Sequence, residues 1–249
     1  MKAREEKAHS AAHKARIREE TWELMQTRGL SPAPQGSIPT FPGQNKAAER
    51  LRGLGVYRKA RTVMVPPDQA QLQVRVNALL DGKRLIMATP GLRDGFYLLE
   101  KDRIRIKDLV RAVRSSGVRR FGKRLFTSRK EIGEVDLLVT GAVAVGLQGG
   151  RIGKGSGYFD LEYMILRQIG SVKERTLIVA LVDDLQVRED IPMEEKDVAV
   201  DFIVTPTQVI KVEAAAQRPP RVLRYLLDVQ GIKRMRPIRE LGQTDGGKI

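Results

Sequence analysis

The sequence predicts an α/β protein: a single layered domain with a mostly parallel sheet flanked by helices, Rossmann-like, with a long N-terminal helix and a basic C-terminal tail. Three observations carry this reading. Apolar runs of strand length alternate with segments of helical spacing through the middle of the chain. Those runs are nearly continuous in apolar residues, as strands buried on both faces must be. A glycine-rich segment, Gly149 to Asp160, falls between a strand and a helix, and open α/β sheets place ligands at the carboxyl ends of their strands.

In chain order, Lys2 to about Arg28 is rich in Ala, Glu, Lys and Arg, with Ile17, Leu24 and Met25 as a sparse apolar stripe and Gly29 as a stop, which predicts one long helix. Pro32, Pro34, Pro39 and Pro42 with Gly36 and Gly43 make 31–44 an irregular, extended linker across the domain. A short helix follows from Asn45 to about Leu54. Thr62 to Val65, Gln69 to Leu80 and Arg84 to Ala88, with a turn at Asp81-Gly82, read as a β-α-β unit. Val135 to Val139, Thr176 to Val182 and Val200 to Val204 are further strands, and Leu161 to Ile169 is a helix. The α/β domain is expected to span 1–213. The extension 214–249 carries a short helix at Val222 to Val229, and its last twenty residues read as loosely ordered.

A chain of 249 residues can bury a full core. No run approaches the roughly 18 apolar residues of a membrane span, and the N-terminal charges are not followed by the apolar stretch of a signal peptide, so a cytoplasmic protein without a membrane partner is expected. The absence of cysteine excludes disulfides and thiolate chemistry. Any metal must then be held by oxygen or by the two histidines, His9 and His13, which sit four apart in the charged N-terminal tract. The net charge of +15 draws polyanions, and nucleotides, polyglutamylated cofactors and nucleic acids all qualify. Twelve Lys or Arg between Lys101 and Lys130 and eight after Ala214 form two basic regions, but 5% aromatic content offers little for stacking bases.

The segment Arg151-Ile152-Gly153-Lys154-Gly155-Ser156-Gly157-Tyr158-Phe159-Asp160 fits a phosphate-binding loop. Alternating glycines let backbone N–H groups turn toward an anion, the following helix adds its positive end, and Arg151 and Lys154 add charge. A tight strand-to-helix turn with incidental bases is the plain alternative. Walker A is excluded because Gly155 follows Gly153-Lys154 and Gln148 occupies the first glycine position, and the spacing is not GxGxxG. Asp160 either approaches Mg²⁺ bridging bound phosphates or caps the next helix. Ser156 has no histidine partner for nucleophilic catalysis outside the terminal tract.

These residues resemble the 5-formyltetrahydrofolate cyclo-ligase family from Lys14 to about Val212. Arg151 to Asp160 matches the family signature R-x-G-x-G-x-G-Y-[YF]-D position by position. Lys14-x-x-Ile17-Arg18 looks like its K-x-x-[LI]-R element, and Pro192 through Asp197 to Asp201 looks like its P-x-x-x-H-D-x-x-x-D segment, with Lys196 in place of His. The resemblance implies an ATP- and Mg²⁺-dependent ligase that phosphorylates the formyl oxygen of 5-formyltetrahydrofolate and closes the ring to 5,10-methenyltetrahydrofolate. It implies that Lys14, Arg18, Arg151, Gly153, Lys154, Gly155, Ser156, Gly157 and Tyr158 bind ATP, with Arg151 and Lys154 catalytic. It further implies that Asp160 and Asp197 hold Mg²⁺ and that Gln69 and Tyr158 contact a folate-like substrate. Gln69 stands where the family's folate-contacting Glu is expected, and Thr140-Gly141 replaces a proline-glycine pair, features of a cyclo-ligase-like branch. The same fold acting on another small acceptor, and RNA binding through the basic regions with a degenerate site, are the competing expectations.

Overall fold

The computed structural model describes residues 2–213, 218–219 and 235–244. The expected helix at 222–229 lies outside them. Nine helical segments are used below: α1 (Lys2–Thr27), α2 (Gln44–Gly53), α3 (Gly55–Lys59), α4 (Leu72–Leu80), α5 (Leu109–Ala112), α6 (Val118–Phe121), α7 (Arg129–Ile132), α8 (Tyr158–Gln168) and α9 (Arg236–Thr244). The main sheet contains β1 (Thr62–Met64), β2 (Arg84–Ala88), β3 (Phe96–Leu99), β4 (Lys123–Leu125) and β5 (Leu137–Thr140). It is completed by β8 (Leu177–Leu181), β10 (Phe202–Val204) and β11 (Val209–Lys211). A second, three-stranded sheet holds β6 (Ala144–Gly146), β7 (Arg151–Ile152) and β9 (Val187–Arg188).

The main sheet runs β11-β10-β8-β5-β1-β2-β3-β4. Its middle, from β10 to β2, is parallel throughout, and β11, β3 and β4 add antiparallel edges. Taking only the parallel strands in chain order gives 2-1-3-4-5, the flavodoxin-like form of the doubly wound sheet, whose ligand crevice opens where the order reverses. Here that switch point lies between β1 and β5.

Period-two alternation divides the core. Val63, Leu85, Leu137, Val139, Val179 and Leu181 pack with Trp22 and Met25 of α1 and with α2 and α4. Met64, Ile86, Leu138, Ile178, Ala180 and Ile203 pack with α8 on the other face. The sheet is thus buried on both sides, which is why its strands read as continuous apolar runs. The extended 31–44 segment contributes Ile38 and Phe41 to the first core, pinned by the Trp22 indole N–H to the Ser37 carbonyl at 3.1 Å.

Two expectations shift. The helix predicted over Gln69 to Leu80 begins as a 3₁₀ turn at Gln69–Gln71 and becomes α-helical only at Leu72. The end of the chain is not loosely ordered throughout, because α9 forms there. Pro237 suits the first helical turn, where its missing N–H has no partner to lose. Leu241 enters the second core, and the buried Glu240 carboxylate accepts from the Thr127 N–H (2.8 Å), the Thr127 hydroxyl (2.7 Å) and Arg124 (2.6 Å).

Candidate active site

The phosphate-loop segment follows β7 of the small sheet, so the β6–β7 hairpin intervenes between β5 and the loop. Gly157 caps α8 at φ +67°, ψ +11°, the left-handed region where a Cβ is strained, and this turn releases the α8 N-terminus toward the loop. The helix starts at Tyr158, three residues before the sequence pattern suggests, so Tyr158 and Asp160 lie in its first turn.

Two cavities meet along this loop. The smaller, about 400 Å³, is lined by Lys14, Arg18, Arg151, Gly155, Asp160 and Asp197 among others. The larger, about 460 Å³, lies at the switch point: Pro66, Pro67 and Asp68 follow β1, Thr89, Pro90 and Gly91 follow β2, and Thr140-Gly141 ends β5. Lys154, Tyr158 and Glu162 complete its wall. Arg151, Gly153, Ser156, Gly157 and Asp160 face both. The Tyr158 hydroxyl packs over Gly91, where φ is +64° and a Cβ would sit 3.3 Å from the oxygen.

On the smaller side, the long helix α1 presents Lys14 and Arg18 on one face, four residues apart. Lys14 is buried and pairs with Glu194 (3.1 Å) and, closely, with Asp197. Arg18 donates to the Gly153 carbonyl at 2.8 Å. Burial disfavours the Glu194 carboxylate, but the Lys14 and Lys196 ammonium groups outweigh it and hold its pKa below the ordinary value. Lys196, standing where the family pattern has His, is half-exposed and paired with Glu194 at 3.2 Å. The Arg151 guanidinium is buried, donates to Asp160 Oδ1 at 2.6 Å and stacks 4.7 Å from the Phe159 ring centroid.

Asp160 Oδ1 also accepts from the Val198 N–H (3.0 Å), the residue after Asp197, so the two carboxylates expected to share a metal are neighbours. Asp197 Oδ2 accepts from Lys14 and from the Glu194 N–H (2.7 Å). Asp160 Oδ2 and Asp197 Oδ1 have no hydrogen bond among the described residues. No group of three or more acidic or histidine side chains among the described residues forms a cage, and His9 is exposed. Two carboxylates with one free oxygen each fit Mg²⁺, which takes its remaining ligands from water and phosphate rather than from an all-protein site.

On the larger side, the placement of Gln69 is corrected. Its side chain is exposed and lines neither cavity, because the 3₁₀ turn directs the preceding residue, Asp68, to the wall. The carboxylate that lines the larger cavity on this turn is that of Asp68, one position before Gln69. Asp68 Oδ1 is held by Lys154 at 2.7 Å. The loop carrying it is clamped by Arg75, which is wholly buried and donates to the carbonyls of Pro66, Asp68 and Val113.

Glu162 is the residue the motif did not reveal. It is 4% exposed, and its Oε2 is enclosed without a partner among the described residues. Burial, reinforced by Asp68 and outweighing Lys154, pushes its pKa up to about 8. The unfolded chain ionises this group near 4.5 while the folded chain keeps it neutral, so the native state binds more protons and loses stability as pH rises from about 4.5 to 8. Chemical denaturation across that range is expected to show Glu162→Gln gaining on the wild type by an amount that grows to a few kcal/mol and is constant above it. A pH-independent difference between the two would contradict this assignment.

Fold and site together define a doubly wound α/β protein with a glycine-rich loop between two cavities. The chain belongs to the 5-formyltetrahydrofolate cyclo-ligase family, whose model matches residues 10–206. It is 36% identical over 233 residues to a methenyltetrahydrofolate synthase domain-containing protein of Bos taurus, a match covering 90% of this chain and 60% of that one. This chain thus spans about 60% of the length of such relatives. A 5-formyltetrahydrofolate cyclo-ligase of Mycolicibacterium smegmatis is 33% identical over 75 residues, 30% of this chain and 36% of that protein. The NMR structure of Aquifex aeolicus 5,10-methenyltetrahydrofolate synthetase shares the fold, with a TM-score of 0.51 and 17% identity over 82% of this chain and 95% of that one. No helix among the described residues is long and apolar enough to cross a membrane.

Proposed function

We propose that this chain converts 5-formyltetrahydrofolate to 5,10-methenyltetrahydrofolate with ATP and Mg²⁺. The observation that carries the reading is the shared wall: Arg151, Gly153, Ser156, Gly157 and Asp160 line both cavities, so a phosphate on the loop meets an acceptor at the switch point. In this reading the nucleotide occupies the smaller cavity, with Lys14 and Arg18 on its phosphates, and the folate lies between Asp68, Tyr158 and Glu162. The formyl oxygen attacks the γ-phosphorus, ADP departs, N10 attacks the activated carbon and loses its proton, and phosphate leaves.

Such chemistry asks for alignment and charge neutralisation rather than a strong base. Lys14, Arg151 and Lys154 are each paired with a carboxylate before ligands arrive: Asp197, Asp160 and Asp68 respectively. Phosphate binding exchanges these partners, passing the cations to phosphate oxygens and freeing Asp160 and Asp197. Mg²⁺ held there would neutralise charge on the transferring group.

Purified protein given 5-formyltetrahydrofolate, ATP and Mg²⁺ is expected to generate the absorbance of the methenyl product with one ADP and one phosphate per turnover. Asp160→Asn should lower that rate about 10- to 100-fold, because it removes one of two metal-facing carboxylates. Absence of product under varied conditions rejects the activity, and an unchanged Asp160→Asn rate removes Asp160 from the site.

A further inference from the structure

The buried residues of α8 are Phe159, Leu161, Glu162, Tyr163, Met164, Ile165 and Leu166, and Glu162 is the single carboxylate among them. A carboxyl in such surroundings costs stability unless its oxygens find hydrogen bonds, and the enclosed Oε2 of Glu162 has none among the described residues. The fold gains nothing from it. No cation among the described residues is within ion-pair distance, and the two that act on it by charge, Lys154 and Arg151, are committed to Asp68 and Asp160. An apolar side chain of the same size would pack there without penalty, so the position has the character of a group kept for a ligand.

Its location names the ligand. Glu162 lines the larger cavity together with Asp68, whose Oδ1 is occupied by Lys154. Prolines, glycines and threonines supply most of the remaining wall, and Lys154 and Arg151 are the cations facing it. A cavity with carboxyl groups in a lining of mixed polar and apolar character selects a flat molecule whose edge carries N–H donors, and it rejects an isostere without them because the buried oxygens are then left unpaired.

We infer that Glu162 is a specificity-determining residue that pairs with the N–H edge of a nitrogen heterocycle in the larger cavity. The inference rests on reading that cavity as the acceptor site. It assigns to Glu162 the recognition of the ring's amino group and leaves phosphate transfer to the loop.

The test is a two-by-two comparison of affinities, measured by calorimetry on the full chain with Mg²⁺ and the non-hydrolysable ATP analogue AMP-PNP present. The ligands are 5-formyltetrahydrofolate and its 2-desamino-2-methyl analogue, which lacks the exocyclic N–H donors. The proteins are the wild type, Glu162→Leu and Glu162→Gln, with AMP-PNP affinity in each reporting an intact loop. The wild type is expected to prefer the amino compound about 10- to 100-fold, the range set by leaving a buried hydrogen-bonding group unpaired. In Glu162→Leu that preference should collapse to about twofold, and Glu162→Gln should fall between.

A wild-type preference that survives in both variants overturns the inference, and so does an equal loss of affinity for both ligands, which is what a purely structural role gives. A wild type that binds neither compound overturns the acceptor reading itself, and the inference with it.

Discussion

Lys154→Ala is expected to lower turnover by about 10²- to 10³-fold while leaving the folded protein almost as stable as the wild type. The magnitude is that of removing one preorganised donor from a centre where negative charge develops. The small stability change follows from the exposure of the pair it breaks: Lys154 is 35% and Asp68 20% exposed, and such ion pairs contribute about 0 to 1 kcal/mol. The kinetic split is as informative as the size. If Lys154 acts on the transferring phosphate, kcat falls and the KM for the acceptor does not rise, because the variant leaves Asp68 unencumbered. Steady-state kinetics with thermal denaturation as a companion will decide; a fall in stability matching the fall in rate would reassign Lys154 to the scaffold.

That prediction depends on a pair, Lys154 and Asp68, that lies 86 positions apart in sequence and could not be read from either segment. The loop itself was legible, because its glycines, cations and terminal Asp are contiguous and their order is a motif. The five parallel strands were legible for a different reason: burial on both faces leaves continuous apolar runs such as Leu137–Thr140 and Leu177–Leu181. The antiparallel edges were not. β4 is Lys123-Arg124-Leu125 and β11 is Val209-Ile210-Lys211, and short charged strands are how sheets blunt their edges, so their composition hides them. Asp197 beside Asp160 was expected from family order alone, and the Val198 N–H bond gives that proximity a physical form. Gln69 lies one position off the cavity wall because an i to i+3 turn rotates side chains differently from the α-helix its pattern suggested. Glu162 carried a signal that was readable in principle: one acid within the apolar run Leu161 to Leu166.

Arg75→Met should be the most damaging single change to the scaffold, and its effect should reach the acceptor cavity without reaching the nucleotide side. The guanidinium is 0% exposed and pairs with no carboxylate among the described residues; its donors go to backbone carbonyls, Val113 at 2.8 Å, Asp68 at 2.9 Å, Pro66 closely and Pro67 at 3.4 Å. Burial, only partly offset by the Asp68 charge, lowers its pKa to about 10, so it stays charged at neutral pH. Met fills much of the same space and satisfies none of those carbonyls, and the Pro66-Pro67 pair has no N–H groups with which to form a turn of its own. Loss of buried partners on this scale costs about 3–5 kcal/mol, which for a chain of this size lowers Tm by roughly 10 °C. Arg75→Lys should recover little, since one ammonium cannot reproduce a fork that spans two loops. Because Asp68 rides on the clamped segment, 5-formyltetrahydrofolate affinity should fall in the Met variant while AMP-PNP, held through Lys14, Arg18 and the glycine loop, binds as in the wild type. A Tm within about 2 °C of the wild type would show that water or loop movement satisfies these carbonyls and that Arg75 is not what fixes the switch-point loop.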